Sequence, residues 1–478
     1  MRLKRPPCDR AKVEKLMKIR LALLLVLLAH SSLSAQTGAA KSKPLVFTHV
    51  TVINMANTPP GSDMTVVVVG NRIAALGKTG KLRAPRNAQV VDASGKYLIP
   101  GLWDMHIHSD NYDKGRKYFP RLLAMGITGV RDMGAPLDDV LRLRREVDEG
   151  KLLGPRMVVC GPLLVGPLPP NFPAMPLIFG VKNVSEARQA VRSLKARGVD
   201  FIKVDSSLPR ESYFAVAAEA KRLNMPFAGH IPPFVTANEA SEAGQSSVEH
   251  LGGEHYGVLL ACSSNESELH AKMKEVAQAQ IDAAFATGKV DETGVYRASL
   301  TKPLLDSFSE EKAEALFGLF VRNKTWQTPT LFTLKGLWNR DDLQDSDIRS
   351  GEQVKQRELE ITKSMQRAGV GLLAGTDRPP DRANLHDELA MFVQAGLSPK
   401  EALQAATINP AKYIRRQASL GAIERGKIAD MALLEANPLE DIGNAKRIAA
   451  VVANGRYLPK DSLQKMLAEA EGTSTKKE

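Results

Sequence analysis

The sequence predicts an α/β protein: a (β/α)8 barrel of the TIM type with a small flanking β-sandwich domain built from both chain ends. Three observations predict it. From residue 101 onward, short apolar segments alternate with amphipathic helical ones, and eight of the apolar segments can be counted. Before residue 100 and after residue 416, short strands follow one another with turn residues between them. Finally, residues 95–108, GKYLIPGLWDMHIH, end an apolar strand in two histidines one residue apart. Alternate side chains of a strand face the same way, so His106 and His108 can address one cation.

The chain has 478 residues, 43% of them hydrophobic, which suffices for a large core. Its net charge of +12 would ordinarily raise nucleic acid as a partner. Residues 1–20, however, hold eight Lys or Arg against two acidic residues, half of the excess, so the charge is local and no nucleic-acid partner is expected. This basic segment runs into LALLLVLLA at 21–29 and then HSSLSAQ, the features of a secretory signal too short to span a bilayer. The expectation is a signal peptide over 1–35, cleaved near Ala35, with translation starting at Met1 or Met17, and a linker over 36–44. That places the mature protein in the periplasm or outside the cell, with no membrane contact beyond the signal. Cys8 is lost with it, and Cys160 and Cys262 allow one disulfide at most and no cysteine-based metal site.

Strands at 45–54, 65–69 and 88–92, with turns at 59–61 and 70–71, form the first part of the β domain, 45–100. His49 belongs to one of these strands and reads as structural. The barrel occupies 101–415, with strands at 102–108, 127–133, 157–161, 201–204, 226–230, 247–250, 326–331 and 370–377. Active sites of such barrels lie at the carboxyl ends of the strands, where His106, His108, Lys203, His230, His250 and Asp377 all fall. The proline-rich loop 162–180 suits a wall over the site, and the helical stretch 255–324 suits a lid. Helices around 387–395 and 399–406 follow, the second capped by Ser398. Strands at 428–434 and 448–452 then return as the second part of the β domain, 416–460, and 461–478 is a tail.

PGLWDMHIH, FIKVD, FAGHIP, SVEHLGG, LLAGTD, AGLSPKEALQAATINPAKYI, LGAIERGKIADMALLEANPLEDI and VVANGRY follow one another in this order. As a set they resemble the metal-dependent amidohydrolase superfamily, over about residues 45–457, in the branch of imidazolonepropionase-related and Xaa-Pro or Xaa-Arg dipeptidase-like enzymes. The resemblance implies that His106 and His108 hold one metal and His230 and His250 a second. It further implies that Lys203 becomes carboxylated and bridges the two, and that Asp377 is the catalytic carboxylate at the metals.

Elementary chemistry agrees with these roles. A lysine ammonium only donates, but burial favours the neutral amine, which can take up carbon dioxide. Imidazole and carboxylate oxygen suit zinc, so two divalent cations, zinc foremost, are the expected cofactors. The expected activity is hydrolysis of amide bonds in dipeptides or N-acyl amino acids by a water activated at the metals, with Asp377 as general base and then acid. Arg378 and Arg382 are candidates to meet a substrate carboxylate. Asp104 reads as lying just outside the ligand set, and His255, Tyr256 and His386 as structural or substrate-facing. Two alternatives stay open: a cyclic-amide hydrolase or deaminase with one metal, and an inactive binding protein on the same scaffold. A homo-oligomer also stays open.

Overall fold

The computed structural model describes residues 43–56, 59–170, 172–288, 295–333 and 345–472. The expected signal peptide, all but the end of the linker, and the last residues of the tail lie outside the described residues. Strands from the two chain ends join in one eight-stranded sheet: β1 (Leu45–Val52), β2 (Gly61–Val69), β3 (Arg72–Lys78), β4 (Gln89–Asp92), β5 (Tyr97–Pro100), β15 (Met431–Leu434), β16 (Ile448–Ala453) and β17 (Arg456–Pro459). β15 lies antiparallel to β5, Met431 opposite Pro100 and Leu434 opposite Tyr97, so residues over 300 positions apart share a ladder. The valine-rich sequences predict strands because branched side chains pack well on a pleated surface. Their inward members, Phe47, Val50, Val66, Val68, Leu98, Met431, Leu433 and Val452, form one apolar cluster. Pairing is continuous instead of dividing into two separately bonded sheets, because β1 serves two neighbours along its length, β4 at its start and β5 at its end. His49 has φ +57° where that register shifts, is largely exposed, and meets Asp63 at 3.0 Å.

The remaining strands are parallel. β6 (Leu102–Ile107), β7 (Ile127–Asp132) and β8 (Arg156–Val159) form one sheet, and β9 (Leu163–Val165), β10 (Ile178–Gly180), β11 (Ile202–Val204), β12 (Phe227–Gly229), β13 (Ser247–Glu249) and β14 (Trp326–Thr328) form another, in the order β10-β9-β11-β12-β13-β14. Helices such as Tyr112–Ala124, Val184–Arg197 and Arg210–Arg222 follow strands and bury one face, with Leu122, Val191 and Val216 in the main core. Asn111 and Asn183 cap two of them, each accepting a backbone N–H of the first turn.

Two sequence expectations need correction. Residues 370–377 do not form a regular strand. They run between β14 and β6 with scattered bonds: Gln327 N to Gly371 O at 2.9 Å, Met105 N to Ala374 O at 2.8 Å, and Asp377 N to His106 O at 2.7 Å. Gly371 and Gly375 account for this, since a Cβ on either would stand 2.2 Å from the Trp326 ring or 2.7 Å from His106 Cβ. Next, His250 is not a strand residue: with φ +54° it opens the 3-10 turn His250–His255. The tail carries a helix, Lys460–Gly472, whose Leu463 is buried with Leu123, Val451 and Leu458. The loop 162–180 holds the short strands β9 and β10. The described parts of 255–324 are largely helical, as expected, but Leu269, Met273, Leu304 and Phe317 are part of the main core. Among the described residues no helix is long and apolar enough to cross a membrane.

Candidate metal centre

The site starts from β6. Its pleat turns Asp104, His106 and His108 to one side. Asp104 is fully buried and accepts from the backbone N–H of His106 at 3.2 Å, the N–H of Thr376 at 3.0 Å and the Thr376 hydroxyl at 2.8 Å. It thereby ties the first strand to the segment that carries Asp377, and burial pushes its carboxyl up to about 7. Asp377 has φ +50°, a strained conformation for a residue with a side chain. Held so, its Oδ1 stands 3.3 Å from His106 Nε2 and 3.2 Å from His108 Nε2. One ligand atom from each of these three residues falls within 4.8 Å of the others.

The other predicted residues come from separate strands. His230 follows β12 and His250 follows β13; their rings are 5.2 Å apart, and the His250 ring is 4.7 Å from that of His106. His250 Nε2 lies 3.9 Å from Asp377 Oδ2. Lys203, on β11, is buried beside them, with Glu249, Asp377 and Asp205 as its charged surroundings. Burial lowers its pKa against the pull of those carboxylates. The structure therefore brings the predicted histidines and Asp377 to one place, with Lys203 in the same electrostatic neighbourhood. Asp205, the obvious salt-bridge partner for Lys203, pairs instead with His230 Nδ1 at 3.4 Å. Arg382 is largely exposed beside Asp381, and Arg378 meets the site through its backbone, accepting from His108 N at 3.3 Å.

The partners of the inner ring nitrogens fix the tautomers. His108 Nδ1 faces the Gly134 carbonyl at 3.0 Å, which can only accept. His106 Nδ1 faces Glu249 Oε2 at 2.9 Å, a carboxylate paired with Arg131 at 2.8 Å. His250 Nδ1 meets Thr330 Oγ1 at 2.5 Å, and that hydroxyl already donates to Pro329 O at 2.7 Å, which leaves it to accept. His230 Nδ1 is shared by Ser206 Oγ at 2.9 Å and Asp205. Each Nδ1 therefore carries the proton and each Nε2 is left as a lone pair, the arrangement by which protein groups orient metal-binding imidazoles. His106 Nε2 is buried without a hydrogen-bond partner. Burial favours the neutral form and holds His250 well below the ordinary histidine value. Burial also pushes Asp377 up, but the positive charge of protonated His250 and His106 and the hydrogen bonds of His106 and His108 outweigh it and keep this carboxyl well below its usual range, a service that a cation held among the same rings would perform in place of those protons. Burial lowers His108 too, but the hydrogen bond and charge of Asp377, with Asp132 behind it, outweigh this and raise it above the ordinary histidine value; imidazole nitrogens gathered around an ionised carboxylate fit a divalent cation.

Sequence reasoning missed the layer beneath. Arg131, inside β7, is fully buried and donates to Met105 O, Ser247 Oγ, Thr328 Oγ1, Tyr413 OH and Glu249. An arginine in the apolar run ITGVRD and a glutamate in SVEHL were the available signals, since a charge within a buried strand must find a partner.

Residues 97–458 match the sequence profile of the Amidohydrolase family. The ochratoxinase of Aspergillus niger is 24% identical over 403 residues, 72% of this chain and 71% of that one. A Nematostella vectensis protein assigned by its name to the imidazolonepropionases is 25% identical over 401 residues, 78% of this chain and 83% of that one. Among solved structures, a Xaa-Pro dipeptidase with bound methionine in its active site superposes with a TM-score of 0.65 at 20% identity, over 87% of this chain and all of the other. With the profile spanning most of its length, the chain belongs to the Amidohydrolase family and is a hydrolase of carbon–nitrogen bonds.

Proposed function

We propose that this protein hydrolyses the amide bond of a dipeptide or N-acyl amino acid, using two divalent cations, zinc by the chemistry of the ligands. The observation that carries the reading is the set of bare Nε2 atoms of His106 and His108 facing Asp377 Oδ1 at 3.3 and 3.2 Å. Lone pairs opposed so closely call for a cation or a proton between them. His106 and His108 would hold one cation, His230 and His250 the other, with Asp377 reaching the centre from the opposite side. Lys203 supplies the bridge: its neutral amine adds to the carbon of carbon dioxide, the nitrogen loses a proton, and the carbamate presents two oxygens. When bound, such cations polarise a carbonyl oxygen and lower the pKa of water. Asp377 takes the proton of the attacking water and delivers it to the leaving amine nitrogen.

In this reading residues 101–415 are a closed (β/α)8 barrel whose circuit is completed by the irregular segment 370–377, and 45–100 and 416–460 form a flanking domain. Support comes from the hydrogen bonds of 370–377 to both β14 and β6, and from the Asp200 N to Val159 O bond of 2.8 Å between the two parallel sheets. The Xaa-Pro dipeptidase name of one structural relative supports a dipeptide substrate. Export rests on the segment 21–29 and its basic flank; activity confined to the cytoplasmic fraction would remove it.

The test combines elemental analysis of the purified protein with a panel of dipeptides, N-acyl amino acids, lactams and aminated heterocycles. Two metal equivalents and release of a free amine from the first two classes are expected. One equivalent with lactam or deaminase activity would favour the one-metal reading, for which the compact His106, His108 and Asp377 set speaks. Full metal loading without turnover of anything would favour a binding protein.

A further inference from the structure

Glu249 has no role in the function proposed above, yet its side chain is completely buried at the end of β13, beneath His106. Its two oxygens are fully used. Oε2 accepts from His106 Nδ1 at 2.9 Å and from Arg131 Nη2 at 2.8 Å, while Oε1 accepts from Ser247 Oγ at 2.5 Å. Arg131 is in turn fixed from four directions: Met105 O on β6, Ser247 on β13, Thr328 Oγ1 at 3.1 Å on β14, and Tyr413 OH at 3.0 Å. Tyr413 comes from the helix Ile408–Tyr413, beyond the last parallel element, and its ring stacks against the guanidinium at 5.1 Å. A buried arginine and glutamate with every polar atom satisfied is expensive to assemble, and replacement by apolar residues of similar size is often neutral or stabilising. Stability alone therefore does not account for the pair.

The contact with His106 does. His108 donates to a backbone carbonyl and His250 to a hydroxyl, but His106 is the ring whose inner nitrogen meets a carboxylate pinned by an arginine. A pinned carboxylate can only accept, so the His106 proton is held on Nδ1 and the Nε2 lone pair is aimed at Asp377 before any cation arrives. Building on the metal reading above, we propose that Glu249 is the positioning residue of the centre, setting the tautomer and aim of His106, with Arg131 and Tyr413 as the brace that fixes Glu249. The helix Ile408–Tyr413 thereby acts on the affinity of the site for its cation without touching the cation.

The experiment uses the full chain stripped of metal. Zinc affinity is measured by chelator competition, and imidazole tautomers by 15N chemical shifts, with His106 identified through its loss in His106→Asn. Glu249→Gln can either accept from or donate to Nδ1, so it should lower zinc affinity about 10–100-fold, the range for lost orienting partners, and convert His106 from Nδ1–H to a tautomer mixture. Should Glu249→Gln fail to fold because Arg131 loses its counter-charge, the double variant Arg131→Met with Glu249→Leu removes both charges together and should fold while showing the same two losses. A folded double variant that binds zinc within twofold of the unaltered protein and keeps His106 as Nδ1–H would overturn the proposal. If the unaltered protein takes up no divalent cation, the metal reading fails by itself. The tautomer measurement then decides: loss of Nδ1–H in the double variant supports Glu249 as the positioning residue, and its retention refutes it.

Discussion

The two halves of the centre are built differently. His106, His108 and Asp377 come from two neighbouring segments, β6 and 370–377, joined by backbone bonds and by Asp104, and their ligand atoms are already gathered within 4.8 Å. Lys203, His230 and His250 come from three successive strands, and their imidazoles are braced by hydroxyls and a single carboxylate. The first half is organised by covalent spacing and a ladder; the second depends on each neighbouring strand holding its place. The first should therefore tolerate perturbation better than the second.

The largest expected effect breaks the chemistry and spares the scaffold. Asp377→Asn should lower kcat by about 10²–10⁴-fold, the range for loss of a general acid–base group, while metal content by elemental analysis stays close to that of the unaltered protein. Loss of metal together with activity would make Asp377 chiefly a ligand. Next, Lys203→Ala should separate the halves: bound metal is expected to fall from two equivalents towards one, with partial recovery in short-chain carboxylates. An unchanged stoichiometry would exclude Lys203 as the bridge.

A pH experiment probes the weaker half. Glu388 is fully buried and accepts from Leu331 N at 3.0 Å and Phe332 N at 2.8 Å, just after Thr330, the residue that holds His250. Burial pushes its carboxyl up to about 8 from an ordinary 4.5. A folded-state pKa above the unfolded one means the folded form binds the extra proton. Its contribution to stability is complete below about pH 4.5 and is lost as pH rises through 8. The stability of the unaltered protein should accordingly fall relative to Glu388→Gln by roughly a few kcal/mol between pH 5 and pH 9, read as a drop in Tm, with His250-dependent metal binding weakening in parallel. Parallel Tm curves for the two proteins would remove Glu388 from this account. The smallest effect is expected outside the centre: His49→Ala, at an exposed strand position, should change stability by no more than about 0.5 kcal/mol in thermal or urea unfolding.

Much of this architecture is legible in the chain, for identifiable reasons. Apolar runs such as IKV and FAG, with amphipathic stretches between them, announce parallel strands because both faces of such a strand are covered. The strands came out one to three residues shorter than their apolar runs, and residues that carry function at the carboxyl ends leave the ladder to converge, as His250 and Asp377 do with positive φ. The eighth segment misled for the opposite reason. Its sequence VGLLAGTD has the right apolarity, but Gly371 and Gly375 are there to let Trp326 and His106 approach, and the ladder is interrupted. The continuous pairing of β15 with β5 had no local signal, because register between distant segments is set only once the chain has closed on itself.

What the sequence determined by itself is the inventory and the order: strand and helix periods, the spacing of His106 and His108, and the sequence in which Lys203, His230, His250 and Asp377 follow along the chain. What only the tertiary structure decided is which nitrogen each imidazole offers, and that Glu249 and Arg131 are the groups that decide it for His106. Periodicity is a property of neighbouring residues along the chain. Proton position and lone-pair direction depend on the partner across a hydrogen bond, and here those partners lie 24 to 143 residues away.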